Sequence, residues 1–286
     1  MQCECHDCIV CLANIFHTLR YVVNKLRAAI KLVGPENVML VIIDGGSDWS
    51  AAEEMIQEFY PWISFLHCTS HEVSLIIKDC FKPEEDGGVD GLFELDEWVT
   101  DAQHWFSSQA CTSFRKSLAE DGEKTAFVWP SVTRYCGTIL KLKRFYSMKP
   151  LLRRVVNSGV YEEKNFVSDP FVDVINGGAK WEQIRRVITM MAPLLLLCRL
   201  ADGQKPVISK LHGTQLYVRK TMETMARDAG PDSIEAKIYQ IFLARWPEMQ
   251  GPIVGATYML EPLFVDQSKH SAACTVHLWT LARKVM

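Results

Sequence analysis

The stretch from Val38 to Lys82 reads VMLVIIDGGSDWSAAEEMIQEFYPWISFLHCTSHEVSLIIKDCFK. The order of its elements decides the fold. Val38 to Ile43 is a continuous, largely β-branched apolar run bounded by turn formers, the pattern of a buried parallel strand. Asp44-Gly45-Gly46-Ser47 ends it in a turn. Ser50 to Tyr60 then reads as a short helix with Ser50 as N-cap and Glu53 and Glu54 in its first turn, where carboxylates favour the helix dipole. Pro61 stops that helix, Trp62 to Cys68 gives a second buried strand, and Ser70 to Phe81 a further helix with Val73, Ile76, Ile77 and Cys80 on one face. Strand, helix, strand implies a parallel pair joined by a right-handed crossover.

Upstream, Ile9 to Val33 reads as one long helix, with Val22, Leu26, Ala29 and Leu32 near helical spacing and Gly34-Pro35 as its stop. Downstream the character changes. Pro83 to Gly91 is acidic and Gly-rich and reads as a loop. Beyond it the pattern is helical: Leu92 to Leu118 as one or two helices, Thr138 to Val156 as a basic amphipathic helix, and a stripe through Trp181, Ile184, Ile188, Met191, Leu195 and Cys198. Ile208 to Met225, Ser233 to Trp246 and Pro252 to Leu260 supply the rest. The expected architecture is α/β plus all-α. The expected segments are a strand-containing part over 1–82, an acidic loop with linker helices over 83–132, and a helical part over 133–286.

Composition excludes several classes. The chain has 286 residues, is 48% hydrophobic and 23% charged, and carries a formal net charge of -3. These values fit a folded globular protein rather than a disordered or collagen-like chain. The longest mostly apolar run, Val187 to Cys198, is 12 residues long and holds Thr189 and Pro193, short of the roughly 20 that a helical membrane span needs. Glu4 and Asp7 stand where a secretory signal would be basic. The charge is uneven. Glu84 to Asp101 holds eight acidic residues and no Lys or Arg, and without it the net charge moves from -3 to +5. Lys141, Lys143, Arg144, Lys149, Arg153 and Arg154 form a basic stretch that reads first as a solvated helix face and second as a candidate DNA contact.

Candidate chemistry is sparse. Phosphate-binding Gly-rich loops, a dinucleotide fingerprint and a Gly-x-Ser-x-Gly elbow are all missing from the sequence. His71-Glu72 resembles the opening of a zinc-protease helix, but Leu75 stands where the second His belongs. His67, Cys68 and His71 lie close together at a strand end. Cys3, Cys5, Cys8 and Cys11, with His6, could ligate zinc, although no second short Cys motif follows at a usual spacing. Asp44 carries the most meaning. A carboxylate at the C-terminal edge of a buried parallel strand points into the crevice where α/β sheets place their sites. It reads either as a Mg²⁺ ligand or as a turn residue with an Asx-type bond.

Val38 to Lys82 resembles transposases of the hAT (hobo–Activator) superfamily, in the plant-type branch. The matches are Asp44, Tyr60-Pro61, Cys68 with His71, Leu75 and Lys78-Asp79. Thr133, Arg134 and Tyr135 resemble the family's Thr-Arg-Phe/Trp segment. The segments PLLLLCRLADGQKPVISKLH and ARWPEMQGPIVGATYMLEPLF are also similar to family segments. The resemblance spans about Val38 to Phe264. It implies a ribonuclease H-like core interrupted by a helical insertion, and DNA cleavage and strand transfer by an Asp-Asp-Glu triad holding Mg²⁺. It also implies DNA, or other transposase-like chains, as partners, and a nuclear location. Only the triad's second Asp maps here, to Asp44, and Gly45 replaces the usual Asn. The resemblance therefore predicts an inactive remnant with residual DNA binding or a protein-interaction role, with no cofactor unless the triad is completed within a longer protein.

Overall fold

The computed structural model describes residues 9–11, 19–44, 47–130, 136–158, 169–203 and 207–260. Among these, helices dominate and one short parallel sheet is present. The elements, in order, are β1 (Ile9–Cys11), α1 (Leu19–Val33), β2 (Leu40–Ile43), α2 (Ser47–Phe59), β3 (Ser64–His67) and α3 (Thr69–Cys80). There follow α4 (Leu92–Phe106), α5 (Gln109–Ser117), α6 (Cys136–Ser147), α7 (Lys149–Val156), α8 (Asp169–Asn176) and α9 (Ala179–Ala201). The last are α10 (Ile208–Ala229), α11 (Ile234–Arg245) and α12 (Pro252–Leu260). The chain divides into two compact units. Unit 1 is Met1–Val73, Leu196–Lys220 and Leu243–Met286; unit 2 is Ser74–Leu195 and Thr221–Phe242. These divisions do not coincide with boundaries at 82/83 and 132/133.

In unit 1 the three strands run parallel in the order β1-β2-β3, with Ile9 opposite Leu40, Leu40 opposite Ser64 and Ile43 opposite His67. The sheet is therefore one strand larger than the expected pair. Ile9-Val10-Cys11 joins the free edge of β2 as a strand instead of starting a long helix, since such a run satisfies its backbone on a sheet edge. Helix α1 starts at Leu19. Val22, Val23, Leu26 and Ile30 recur at 3–4 spacing and are buried. The helix stops where Gly34 adopts φ 93° and Pro35 follows, a backbone that an L side chain adopts only under strain. The core joins that face of α1 to Val41 and Ile43 of β2 and to Ala52 and Ile56 of α2. Ser50 lies inside α2 rather than at its cap, because the helix begins at Ser47. Further along the chain, Gln215 of α10 is fully buried and donates to the Met249 carbonyl at 3.0 Å. Gly213 lets the Tyr258 ring of α12 approach to where a Cβ would meet Cε2 at 2.9 Å.

Unit 2 packs around aromatic rings. Phe145 stacks on Trp181 at 5.2 Å, and Trp98 meets Phe145 edge-on at 5.7 Å, the offset and T-shaped arrangements that ring quadrupoles favour. The Trp181 indole donates to the Ile175 carbonyl at 2.8 Å. Arg186 pairs with Glu235 through two bonds of 2.8 and 2.5 Å. The expected Thr138 to Val156 helix is two helices broken at Met148, because Pro150 in the first turn of α7 has no N–H to continue an i→i−4 ladder. Gln103 of α4 is fully buried, and neither amide atom has a hydrogen-bond partner among the described residues. Among the described residues, no helix is long and apolar enough to cross a membrane.

Candidate functional site

The chemistry-bearing residues of unit 1 collect at the C-terminal ends of β2 and β3. Asp44 follows β2 directly, and His67 is the last residue of β3. The Cys68 N–H donates to the Ile43 carbonyl at 2.7 Å and so holds the two strand ends together. Helix α3 begins one residue later, and its first turn delivers His71 and Glu72 to the same place. Two further residues reach this point from distant sequence: Arg245 at the end of α11, and Glu248 in the 3-10 turn Pro247–Met249.

Glu72 is the centre of the cluster. It is 1% exposed. Its Oε2 accepts from Arg245 Nη1 at 3.3 Å, and its Oε1 lies 3.7 Å from His67 Nδ1. Burial pushes the Glu72 carboxyl up, but His67 and Arg245 outweigh it and hold the group below its ordinary range. Glu72 in turn raises the His67 imidazole above its ordinary value; burial opposes this and Glu248 adds to it. Glu248 Oε2 is 3.2 Å from His67 Nδ1, yet among the described residues Nδ1 has no partner of hydrogen-bond geometry. That approach is therefore a charge contact off the hydrogen-bonding direction. Asp44 is more open, with its side chain 42% exposed, and His71 Nδ1 lies 3.9 Å from its Oδ1.

Mg²⁺ requires several hard oxygen ligands in near-octahedral array. Asp44 offers one carboxylate and has an imidazole beside it. The nearby Glu72 already faces a guanidinium. Among the described residues no group of three or more His, Cys, Asp or Glu side chains is arranged for a metal ion. The donor set present does not fit Mg²⁺, and no metal-dependent step is derived. Cys68 is half-buried, and its Sγ lies 3.6 Å from Ser70 Oγ.

The basic stretch lies in unit 2, and most of it is turned to internal use. Lys141 is buried, with Nζ 2.7 Å from both Asp96 Oδ1 and Thr100 Oγ1. Arg144 donates to the Ala126 carbonyl at 2.7 Å. Lys149 lies 5.4 Å over the Trp181 ring. Arg153 donates to the carbonyls of Ile175, Asn176 and Gly177 at 3.2, 3.0 and 3.0 Å, and so caps the C-terminus of α8. Arg154 bridges Glu120, Glu123 and the Leu118 carbonyl. Lys143 alone of the six is exposed with no such tie among the described residues. Thr133 and Arg134 lie outside the described residues, as do Cys3, Cys5, His6 and Cys8; Cys11 lies in β1.

Sequence reasoning singled out Asp44, His67, Cys68 and His71, and the structure brings them to one place. It did not assign a role to Glu72, Arg245 or Glu248. Arg245 lies 173 residues from Glu72 in the chain, and no local pattern links them. No curated protein and no solved structure matches the chain. Residues 10–104, which hold Asp44, His67, His71 and Glu72, match the family described as Domain of unknown function (DUF659), a domain found in hAT-like transposase-related proteins.

Proposed function

We propose that the chain is a hAT transposase-derived protein that does not cut or join DNA by itself and serves as an interaction module. The observation that carries this reading is the state of the carboxylates. Two-metal strand chemistry needs clustered carboxylates that are open to cations. Here Glu72 is buried against Arg245 and His67, and an imidazole stands 3.9 Å from Asp44. The engagement of five of the six basic side chains with their own chain supports a protein partner over DNA for that stretch. The test is incubation of the full chain with duplex and hairpin DNA in Mg²⁺ or Mn²⁺. The expected result is no cleavage or joining, for the parent or for Asp44→Asn. Metal-dependent cleavage that Asp44→Asn abolishes would overturn the proposal.

A second reading, weak DNA binding, is favoured by α1. This helix carries Arg20, Lys25, Arg27 and Lys31 and no acidic residue. Arg20, Lys25 and Lys31 are exposed, with no ion-pair partner among the described residues. If these three meet phosphates, duplex affinity falls with salt at a log–log slope of about -3. Changing the three to Glu then flattens the slope; an unchanged slope would remove α1 as the contact.

A further inference from the structure

Three hydroxyl side chains in the sequence have a carboxylate three residues further on: Ser50 with Glu53, Thr69 with Glu72 and Ser117 with Glu120. That spacing presents an acidic side chain to an enzyme whose substrate groove is basic, and kinases discriminate among hydroxyls by charge patterns of this kind. Ser117 has the fullest pattern, with Glu120, Asp121 and Glu123 after it and no basic residue before Lys124. The fold separates the three. Ser50 lies inside α2, and Thr69 is 3% exposed at the start of α3. Ser117 is the exposed last residue of α5, at a helix end, where helices fray. Residues 118–130 after it form no helix or strand. The Ser117 Oγ donates to the Phe114 carbonyl at 2.7 Å, a local bond that water can replace.

Three guanidiniums of the same unit hold this loop at its base. Arg115 donates to the Thr125 carbonyl at 3.0 Å and Arg144 to the Ala126 carbonyl at 2.7 Å. Arg154 donates to the Leu118 carbonyl at 3.3 Å and pairs with Glu123 and Glu120. The Glu120 side chain stays 74% exposed despite that pair. Asp121 is exposed, with no ion-pair partner among the described residues. The carboxylates three and four residues beyond Ser117 are therefore open to a basic groove. The same arginine suits the product. A phosphate on Ser117 meets the negative end of α5, which disfavours it, and Arg154 beside Leu118 and the exposed Lys116 offset that cost.

We propose that Ser117 is a phosphorylation site for a serine kinase that selects acidic sequences. Ser117 Oγ attacks the γ-phosphorus of ATP and a new Oγ–P bond forms; the bond to the ADP oxygen breaks, and the hydroxyl proton passes to a base of the kinase. The proposal is independent of whether the chain cleaves DNA. Its test is incubation of the full chain with ATP, Mg²⁺ and a purified acidophilic serine/threonine kinase, followed by phosphopeptide mapping, with a synthetic peptide of residues 112–125 alongside. The expected result is phosphate at Ser117 of the folded chain, lost in Ser117→Ala, and an initial rate at least about tenfold lower for Asp121→Lys. Where Asp121→Lys melts early, the same substitution in the peptide decides the charge requirement. Phosphate on the peptide but not on Ser117 of the folded chain overturns the proposal, because the fold then shields the site. Phosphate on neither, or a rate that Asp121→Lys leaves unchanged, overturns it as well.

Discussion

Replacing Glu72 by Gln tests the centre of the unit 1 cluster. The substitution keeps volume and removes one buried charge. A hydrogen bond to a charged group contributes about 1.5–3 kcal/mol, and removing one partner of a fully buried pair costs about 3–5 kcal/mol. Here Glu72 is buried but the Arg245 and His67 side chains are 28% and 20% exposed, so the charges left behind keep part of their hydration. The expected cost is about 2 kcal/mol. In a chain of this size that lowers Tm by roughly 4–8 °C. The effect depends on pH, and the signs differ for the two partners. His67 is raised in the folded state, so its contribution is complete below its ordinary value of 6.5 and fades as pH rises through the higher folded value. Glu72 is lowered, so its contribution is complete above its ordinary value of 4.5 and fades as pH falls through the lower folded value. Glu248 and Glu53 also face His67, and His71 also faces Glu72. The Tm gap between parent and Glu72→Gln should thus be widest between about pH 4.5 and 6.5 and should narrow as pH rises from there toward 8, as the His67 part fades and the Arg245 part stays. Thermal melts followed by circular dichroism from pH 4 to 8 measure it. A gap that does not change between pH 5.5 and 8, or no gap at pH 5.5, would refute the argument.

Other outcomes follow from unit 2. Lys141→Ala should destabilise by about 2–4 kcal/mol because Asp96 loses its buried partner, and Lys141→Met, which fills the space but leaves Asp96 equally unpaired, should recover only the packing share of that loss; a Met variant as stable as the parent in urea unfolding would argue against this pairing. Gln103→Leu removes two unsatisfied amide atoms and should stabilise by about 1–2 kcal/mol; a lower urea midpoint would contradict it. Arg153→Ala opens the three carbonyls at the end of α8 and should cost about 1–2 kcal/mol in the same assay, with no change in DNA affinity at any salt. Cys80 and Cys111 are buried, the first thiol pushed up strongly by its burial and the second to about 11. Both should resist iodoacetamide in the native chain, where peptide mass mapping would show any early label.

The strand and helix order from Val38 to Cys80 was legible because each element is bounded by strong punctuation: Gly34-Pro35 before β2, Asp44 after it, and Pro61 before β3. The family resemblance drew on the same stretch and on Thr133-Arg134-Tyr135 and the segments 193–212 and 244–264. What failed to show was whatever depends on a distant partner. Ile9-Val10-Cys11 has helical and strand readings of similar merit, and only the open edge of β2 chooses between them. Charge counting placed Lys141 to Arg154 on a surface, because a sequence does not show that Asp96, Glu123 or the carbonyls of α8 wait opposite. Asp44 and His71 were visible as types at a strand end. Glu72 was not separable from an ordinary acidic residue in a first helical turn, since its meaning comes from Arg245.

The separation of that pair bears on how the chain is made. Glu72 and Arg245 are 173 residues apart, and unit 1 also draws on Leu196–Lys220 and Leu243–Met286. At a synthesis rate of roughly 5–20 residues per second, the sheet and the start of α3 wait about 10–30 s before the segment that neutralises Glu72 leaves the ribosome. During that interval a buried-type carboxylate and three short strands stand without their later contacts, and such long-range closure is intrinsically slow. Apolar surface exposed over such an interval is the condition that chaperones meet, and the stretch 10–104, although continuous in sequence, is divided between the two compact units.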